Sequence, residues 1–195
     1  KANDLEENTI LVFASDHGEM LGSHGRRPYT KQIFWDESCR VPFLLRYPPF
    51  TSGYQRRKVT TPLGTVDIMP TLLSLCGLEI PESVEGDDLS ACVRDQVEVE
   101  DHVALYMSVV PFAVNNYLDP GYRAIRTHRH TFVRTSEDVL YLFDDVEDPY
   151  QLNNLADTAD AADVQRQLEQ EWSRQLDKIG DSFREKEYYL SRWGF

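Results

Sequence analysis

The sequence predicts an α/β protein: the end of a parallel sheet with its helices over residues 1–102, then a small antiparallel sheet packed on a C-terminal helix over residues 103–195. Three observations predict it. A short continuous apolar run, Thr-Ile-Leu-Val-Phe-Ala at 9–14, suits a strand buried on both faces, as in a parallel sheet covered by helices. Segments at 103–110, 122–127, 130–134 and 139–143 are rich in β-branched and aromatic residues and separated by short gaps or turn residues, the pattern of an antiparallel meander. Over 160–179, Val164, Leu168, Trp172, Leu176 and Ile179 recur at helical spacing with a polar back, and Gly180 ends the run.

The elements follow in order. The first strand ends abruptly in Ser15, Asp16, His17, Gly18 and Glu19, and in open α/β sheets functional groups sit at the carboxyl ends of strands. A strand this early finds parallel partners only across crossovers of a dozen or more residues, so the chain is expected to be the back part of a larger fold. A second strand is expected at 41–46, closed by Tyr47, Pro48 and Pro49. A helix is expected at 67–75, with Asp67 as N-cap, Pro70 in the first turn and Gly77 at the C-terminal cap. Residues 78–102 are turn-rich and acidic, and read as a surface connection.

Composition bounds the function. With 195 residues, 41% hydrophobic and 27% charged, the chain can build a real core. Its formal charge of −13 argues against nucleic acid as a partner, and no apolar run reaches the length of a membrane span. Cys39, Cys76 and Cys92 are too few and too scattered for a disulfide framework or a thiolate zinc site. The charge is uneven: residues 1–60 hold nine Lys/Arg against seven Asp/Glu, so an anion could be held there by local field.

Asp16 and His17, adjacent at a strand tip, offer a carboxylate oxygen and an imidazole nitrogen to a divalent cation if a turn splays them; the same pair also serves to cap turns. Their context is more specific. The run from Ser15 to Gly25 (SDHGEMLGSHG) and the run from Lys31 to Pro48 (KQIFWDESCRVPFLLRYP) resemble the type I sulfatases of the alkaline-phosphatase superfamily. In that family a strand ends in (S/T)-D-(H/N)-G-E, then a G-x-H-G turn, a lysine, an aromatic–acidic stretch and R-V-P. The interval from Gly25 to Lys31 is about two residues longer than that pattern. Residues 66–77 (VDIMPTLLSLCG) resemble the helix V-D-x-x-P-T-L-L-x-L-x-G, with residues 85–89 at the G-x-S-L turn. Residues 122–127, 141–144 and 148–155 resemble the closing segment, R-x-(Y)-x-x-R…L-Y-D-L…D-P-x-E-x-x-N-L.

The resemblance implies the C-terminal part of an alkaline-phosphatase-like sulfatase fold, with residues 1–102 as the back of the catalytic α/β core and 103–195 as an α+β subdomain. It implies that Asp16 and His17 are calcium ligands and that Lys31 contacts the sulfate group and steadies the bridging oxygen. His24 is a candidate to reach substrate, or to bond within its own turn. Glu19 is expected to orient the loop, and Arg26, Arg27 and Arg40 to add positive potential or to be solvated. His128 and His130 read as decoration of a turn, His102 has no sequence context, and Trp35 is compatible with stacking on a sugar.

The family's nucleophile is a formylglycine made from cysteine in C-x-P-x-R, and none of the three cysteines fits. It is expected upstream, with the remaining calcium ligands, so this stretch alone is expected to be silent. The implied partners are a sulfated small molecule or glycan and the N-terminal part of the same protein. Family habit favours periplasm, lysosome or exterior. Two alternatives stay open: a phosphodiesterase or phosphonate monoester hydrolase of the same superfamily, and a non-catalytic binding module.

Overall fold

The apolar run near the start forms strand β1 (Leu11–Ala14), and the second apolar segment forms β2 (Phe43–Arg46). These come from a computed structural model that describes residues 3, 5–26, 31, 33–50, 56–109, 121–184 and 186–193. The two strands pair with each other, antiparallel, with Leu11 opposite Arg46 and Ala14 opposite Phe43. Among the described residues there is no parallel pairing. Nor is β1 buried on both faces: Leu11, Phe13 and Leu44, which share one face of the ribbon, are 62%, 61% and 64% exposed. Two strands cannot cover both sides of a sheet, so the ribbon has the composition of a buried strand without the cover.

Between β1 and β2 lies a one-turn helix, α1 (Asp36–Cys39), too short to leave a periodic signature. The next helix, α2 (Thr65–Leu75), begins two residues before the expected start. Gly64 is its N-cap, and Asp67 stands at the third helical position, where its carboxylate accepts the Gly64 N–H at 2.8 Å. Pro70 therefore lies in the second turn and leaves the Val66 carbonyl without its helical donor. Gly86 passes over that carbonyl so closely that a Cβ would lie 2.0 Å from the oxygen. At the far end Gly77 adopts φ +69°, and the N–H groups of Gly77 and Leu78 close on the carbonyls of Ser74 and Leu73, as expected of a glycine cap.

The stretch expected as a surface connection is more structured than that. It contains α3 (Ser90–Arg94) and buries Leu89, Ser90, Cys92 and His102. Short polar side chains tie it to α2, Ser74 Oγ meeting Ser90 Oγ at 2.9 Å and Thr71 Oγ1 accepting the Leu89 N–H.

The meander forms as expected: β3 (Ala104–Ser108), β4 (Tyr122–Arg126), β5 (His130–Arg134) and β6 (Val139–Asp144) pair antiparallel in that order. Position 110, at the end of the first expected segment, lies outside the described residues. Strand alternation sends Ile125, Phe132 and Leu142 to one face, where Leu168, Trp172 and Leu176 of α4 (Ala162–Ile179) cover them. The expected stripe is thus buried at Leu168, Trp172 and Leu176, partly buried at Val164 and exposed at its end, Ile179. Tyr122, Ala124, Val133 and Phe143 point the other way, and Met20, Ile33, Phe34 and Trp35 pack on them. The sheet is therefore a floor for the segment that follows β1.

Arg123, buried in β4, gathers the C-terminal segment: it bonds Asp181 and the Tyr189 hydroxyl and lies 4.2 Å from the Phe183 ring centroid. Tyr189 belongs to α5 (Lys186–Trp193), which no sequence pattern announced.

Two outcomes are expected. Trp172, packed on the meander with its Nε1 donating to the Arg123 carbonyl at 3.3 Å, should cost about 3–5 kcal/mol of stability as Trp172→Ala, read by urea unfolding. Burial by itself raises the Asp67 carboxyl, but hydrogen bonds from His102, Asp87 N–H and Gly64 N–H hold it below its ordinary value of 3.8. A carboxyl lowered on folding stabilises above its unfolded pKa and loses that contribution as pH falls through the folded value. Asp67→Asn should therefore cost about 1–3 kcal/mol at neutral pH, and unfolding curves of the two proteins should converge in acid.

Candidate functional site

At the carboxyl end of β1 the chain turns through Ser15, Asp16, His17 and Gly18. The turn is tied internally: Ser15 Oγ donates to the His17 carbonyl at 2.9 Å, and the His17 N–H donates to Asp16 Oδ1 at 3.0 Å. The His17 N–H and the Asp16 N–H hold the exposed Asp16 carboxyl below its usual range, so it is ionised and ready to bind a cation. Gly18 then slides beneath α1, its N–H donating to the Ser38 carbonyl at 2.8 Å. A Cβ there would lie 1.9 Å from the Glu37 carbonyl oxygen, so only glycine allows this approach.

His17 Nδ1 lies 2.8 Å from the Gly18 carbonyl, an acceptor, which assigns the ring proton to Nδ1. Nε2 then accepts from Lys31 Nζ at 3.0 Å and lies 3.5 Å from Asp16 Oδ2. Three of the four expected site residues therefore meet at one point. A carboxylate oxygen and an imidazole nitrogen side by side suit a hard or borderline divalent cation, as two donors of a larger shell, once Lys31 Nζ turns from the imidazole lone pair.

His24 has a different setting. In a left-handed conformation between Ser23 and Gly25, it stacks on Trp35 at 4.5 Å and brings Nε2 to 3.4 Å from Glu37 Oε2. Trp35 is buried in the core cluster, with the Arg26 guanidinium 4.9 Å from its ring centroid, and so is not open to a sugar. Arg40 is paired with Asp36 at 3.1 Å, and Arg27 lies outside the described residues. Glu19 Oε1, Arg26 Nε and Trp35 Nε1 are buried without a hydrogen-bond partner. His128 meets the Val99 carbonyl at 3.0 Å, and burial lowers the His130 pKa.

Sequence reasoning missed two clusters because their members are far apart in the chain. His102 stands between Asp67 and Asp87, its nitrogens 3.2 and 3.5 Å from their oxygens. That trio has the residue types of a metal site, but Lys178 already neutralises Asp87 at 2.8 Å and Asp67 already accepts two backbone N–H groups. The second cluster surrounds Asp36, the first residue of α1. Arg126 Nη1 donates to Asp36 Oδ1 at 2.6 Å and to Thr131 Oγ1 at 2.9 Å. Gln151 Oε1 accepts the Asp36 N–H at 3.0 Å, while Gln151 Nε2 donates to Asp145 Oδ1 at 2.7 Å. The R-x-x-R spacing of Arg123 and Arg126 carried Arg126 in the motif without revealing its partner.

A family model described as N-sulphoglucosamine sulphohydrolase, C-terminal, matches residues 22–178. An ulvan-active sulfatase of Formosa agariphila is 44% identical over 194 residues, which cover 98% of this chain and 37% of that protein. An endo-4-O-sulfatase of Bacteroides thetaiotaomicron is 37% identical, covering 91% of this chain and 37% of its own length. The crystal structure of a putative sulfatase yidJ from Bacteroides fragilis superposes with a TM-score of 0.77 at 34% identity, over 93% of this chain and 38% of the other. A phosphonate monoester hydrolase from Silicibacter pomeroyi shares the fold, with a TM-score of 0.68 at 23% identity over 91% of this chain and 36% of its own. The chain thus spans a little over a third of the length of the curated relatives it matches. With most of its length matched by the family model, and with that fold, the chain belongs to the sulfatases and carries the C-terminal portion of their alkaline-phosphatase-like fold.

Proposed function

We propose that this chain supplies the cation- and lysine-bearing part of a sulfatase active site, and that the whole protein hydrolyses sulfate esters of carbohydrates. The observation that carries the reading is the meeting of Asp16, His17 and Lys31 at the end of β1, with Lys31 Nζ 3.0 Å from His17 Nε2. An ammonium at that point neutralises sulfate oxygens and holds charge on the bridging oxygen as the S–O bond breaks. Where water is excluded, such a contact contributes several kcal/mol to the transition state.

Asp16 and His17 are the residues of this chain that would hold calcium. When bound, the ion would add Lewis-acid polarisation of the sulfate oxygens. Hard cations take six to eight ligands, so the other donors are assigned to the rest of the polypeptide. The nucleophile is assigned there too, as a formylglycine, because none of Cys39, Cys76 and Cys92 lies in the C-x-P-x-R motif that the resemblance calls for. This stretch alone is accordingly inactive. The exposed face of Leu11, Phe13 and Leu44 is where the rest of the polypeptide packs. His24, held by Trp35 and Glu37, fixes its own turn on the core beneath it. Relatives named for ulvan and for endo-4-O activity support a sulfated glycan as substrate.

Peptide mapping of the whole gene product tests the reading first. A C-x-P-x-R peptide in its aldehyde form supports it. Thr or Ser at that place moves the protein to the phosphoester and phosphonate hydrolases, and no nucleophile makes it a binding module. In the whole protein, Lys31→Ala should lower sulfate-ester turnover at least about 100-fold with an unchanged Tm; near-normal turnover overturns the assignment. Asp16→Asn should reduce calcium affinity, read by titration calorimetry, together with activity. Gly18→Ala should give the same double loss, because its methyl group drives the turn away from α1.

A further inference from the structure

We propose that Arg126, Asp145 and Gln151 are positioning residues for the site at the end of β1, acting through Asp36 and α1, with Asp145 and Gln151 forming a compensated pair. Its chemistry rests on the sulfatase reading; its geometry does not.

The argument begins with α1. This single turn holds both halves of the site. The Ser38 carbonyl takes the Gly18 N–H, which fixes the Asp16–His17 turn. Ser38 Oγ takes the Ile33 N–H at 3.4 Å and Cys39 Sγ bonds the Ile33 carbonyl at 2.8 Å, which fixes the segment after Lys31. A four-residue helix cannot hold its own place, since one turn forms too few bonds to offset its ordering. It is held from the sheet: Asp36 receives Arg126 from β4 and Gln151 from the loop after β6.

That anchor contains two departures from the family pattern. Asp145 stands where L-Y-D-L has its last leucine, and Gln151 where D-P-x-E has its glutamate. The two departures touch: Gln151 Nε2 donates to Asp145 Oδ1 at 2.7 Å. The Asp145 side chain is 4% exposed and its Oδ2 lies 3.3 Å from Arg126 Nε. With Leu and Glu at these two places, Asp36 and the Glu would face the Arg126 guanidinium; here Asp36 and Asp145 face it, while Arg40 pairs with the other oxygen of Asp36 at 3.1 Å. Either arrangement sets two carboxylates against Arg126. Gln151 keeps a positive φ of +53°, a conformation a non-glycine residue holds only when its surroundings compel it. Its side chain is the restraint, with bonds to Asp36, Asp145 and Thr131.

Gln151→Glu alone breaks the compensation. It puts a carboxylate oxygen where Nε2 now donates to Asp145, so three carboxylates share Arg126 and one must move or take up a proton. Asp145→Leu combined with Gln151→Glu restores the two-to-one count.

The test uses the whole protein as wild type, Gln151→Glu, Asp145→Leu/Gln151→Glu and Arg126→Met. Hydrogen exchange by mass spectrometry is read for peptides spanning 15–39 and, as reference, β3 to β6. The expected result is faster exchange in 15–39 for Gln151→Glu and Arg126→Met, with the sheet peptides unchanged, and a return in the double variant. With 4-nitrophenyl sulfate as probe, Gln151→Glu should lose about tenfold or more in kcat with little change in KM, and the double variant should recover to within about threefold. Unchanged exchange in 15–39 for Gln151→Glu, or a double variant as impaired as the single, overturns the proposal. Failure of the wild-type protein to hydrolyse any sulfate ester defeats the sulfatase reading instead, and the exchange data still decide the positioning role.

Discussion

The ion pair between Asp36 and Arg126 joins the two halves of this chain, and the candidate site depends on it. On one side of it, α1 carries the Asp16–His17 turn and the segment after Lys31. On the other, β4 belongs to a sheet with an apolar core on each face. The pair is half-shielded, at 22% and 18% side-chain exposure, so its worth exceeds that of a surface salt bridge, while water at its edge limits the desolvation cost. The Tyr106 hydroxyl adds a second tie, donating to the Phe34 carbonyl at 3.2 Å. The meander thus acts on the chemistry by fixing the base on which the loop rests.

How much of this was legible follows the range of each interaction. The meander, α4 and the glycine caps at Gly77 and Gly180 were readable because their determinants lie within a few residues of one another. The start of α2 was misplaced because Asp67 reaches back to the Gly64 N–H, whereas an aspartate before an apolar run ordinarily reads as the cap itself. The burial of β1 was overread for a related reason. Composition records the environment a strand evolved in, and Leu11 and Phe13 lack that environment among the described residues. α1 and α3 were invisible because one turn has no period.

The candidate site divides the same way. Asp16, His17 and Lys31 were named from their order in the motif, and their convergence is a fact of the fold. Trp35 shows the limit of residue type as a guide. An aromatic near a candidate glycan site suggests stacking, yet here its partners are Phe34, Tyr141 and the His24 ring. The His102 and Asp36 clusters escaped because residues 35 and 90 or more positions apart cannot be paired by spacing.

The three buried polar atoms without partners, Glu19 Oε1, Arg26 Nε and Trp35 Nε1, all belong to the stretch from 19 to 35. Each unmet group costs on the order of 1–3 kcal/mol, and folded proteins leave few of them. Elsewhere the buried side chains are met within the chain: Arg123 by Asp181 and Tyr189, Gln151 by Asp145 and Thr131, Glu98 by three donors of Thr60 and Thr61. The three atoms lie in the stretch that packs on the meander through Met20, Ile33, Phe34 and Trp35. What holds this stretch is the sheet beneath it and α1 beside it, and Lys31 meets His17 on that base.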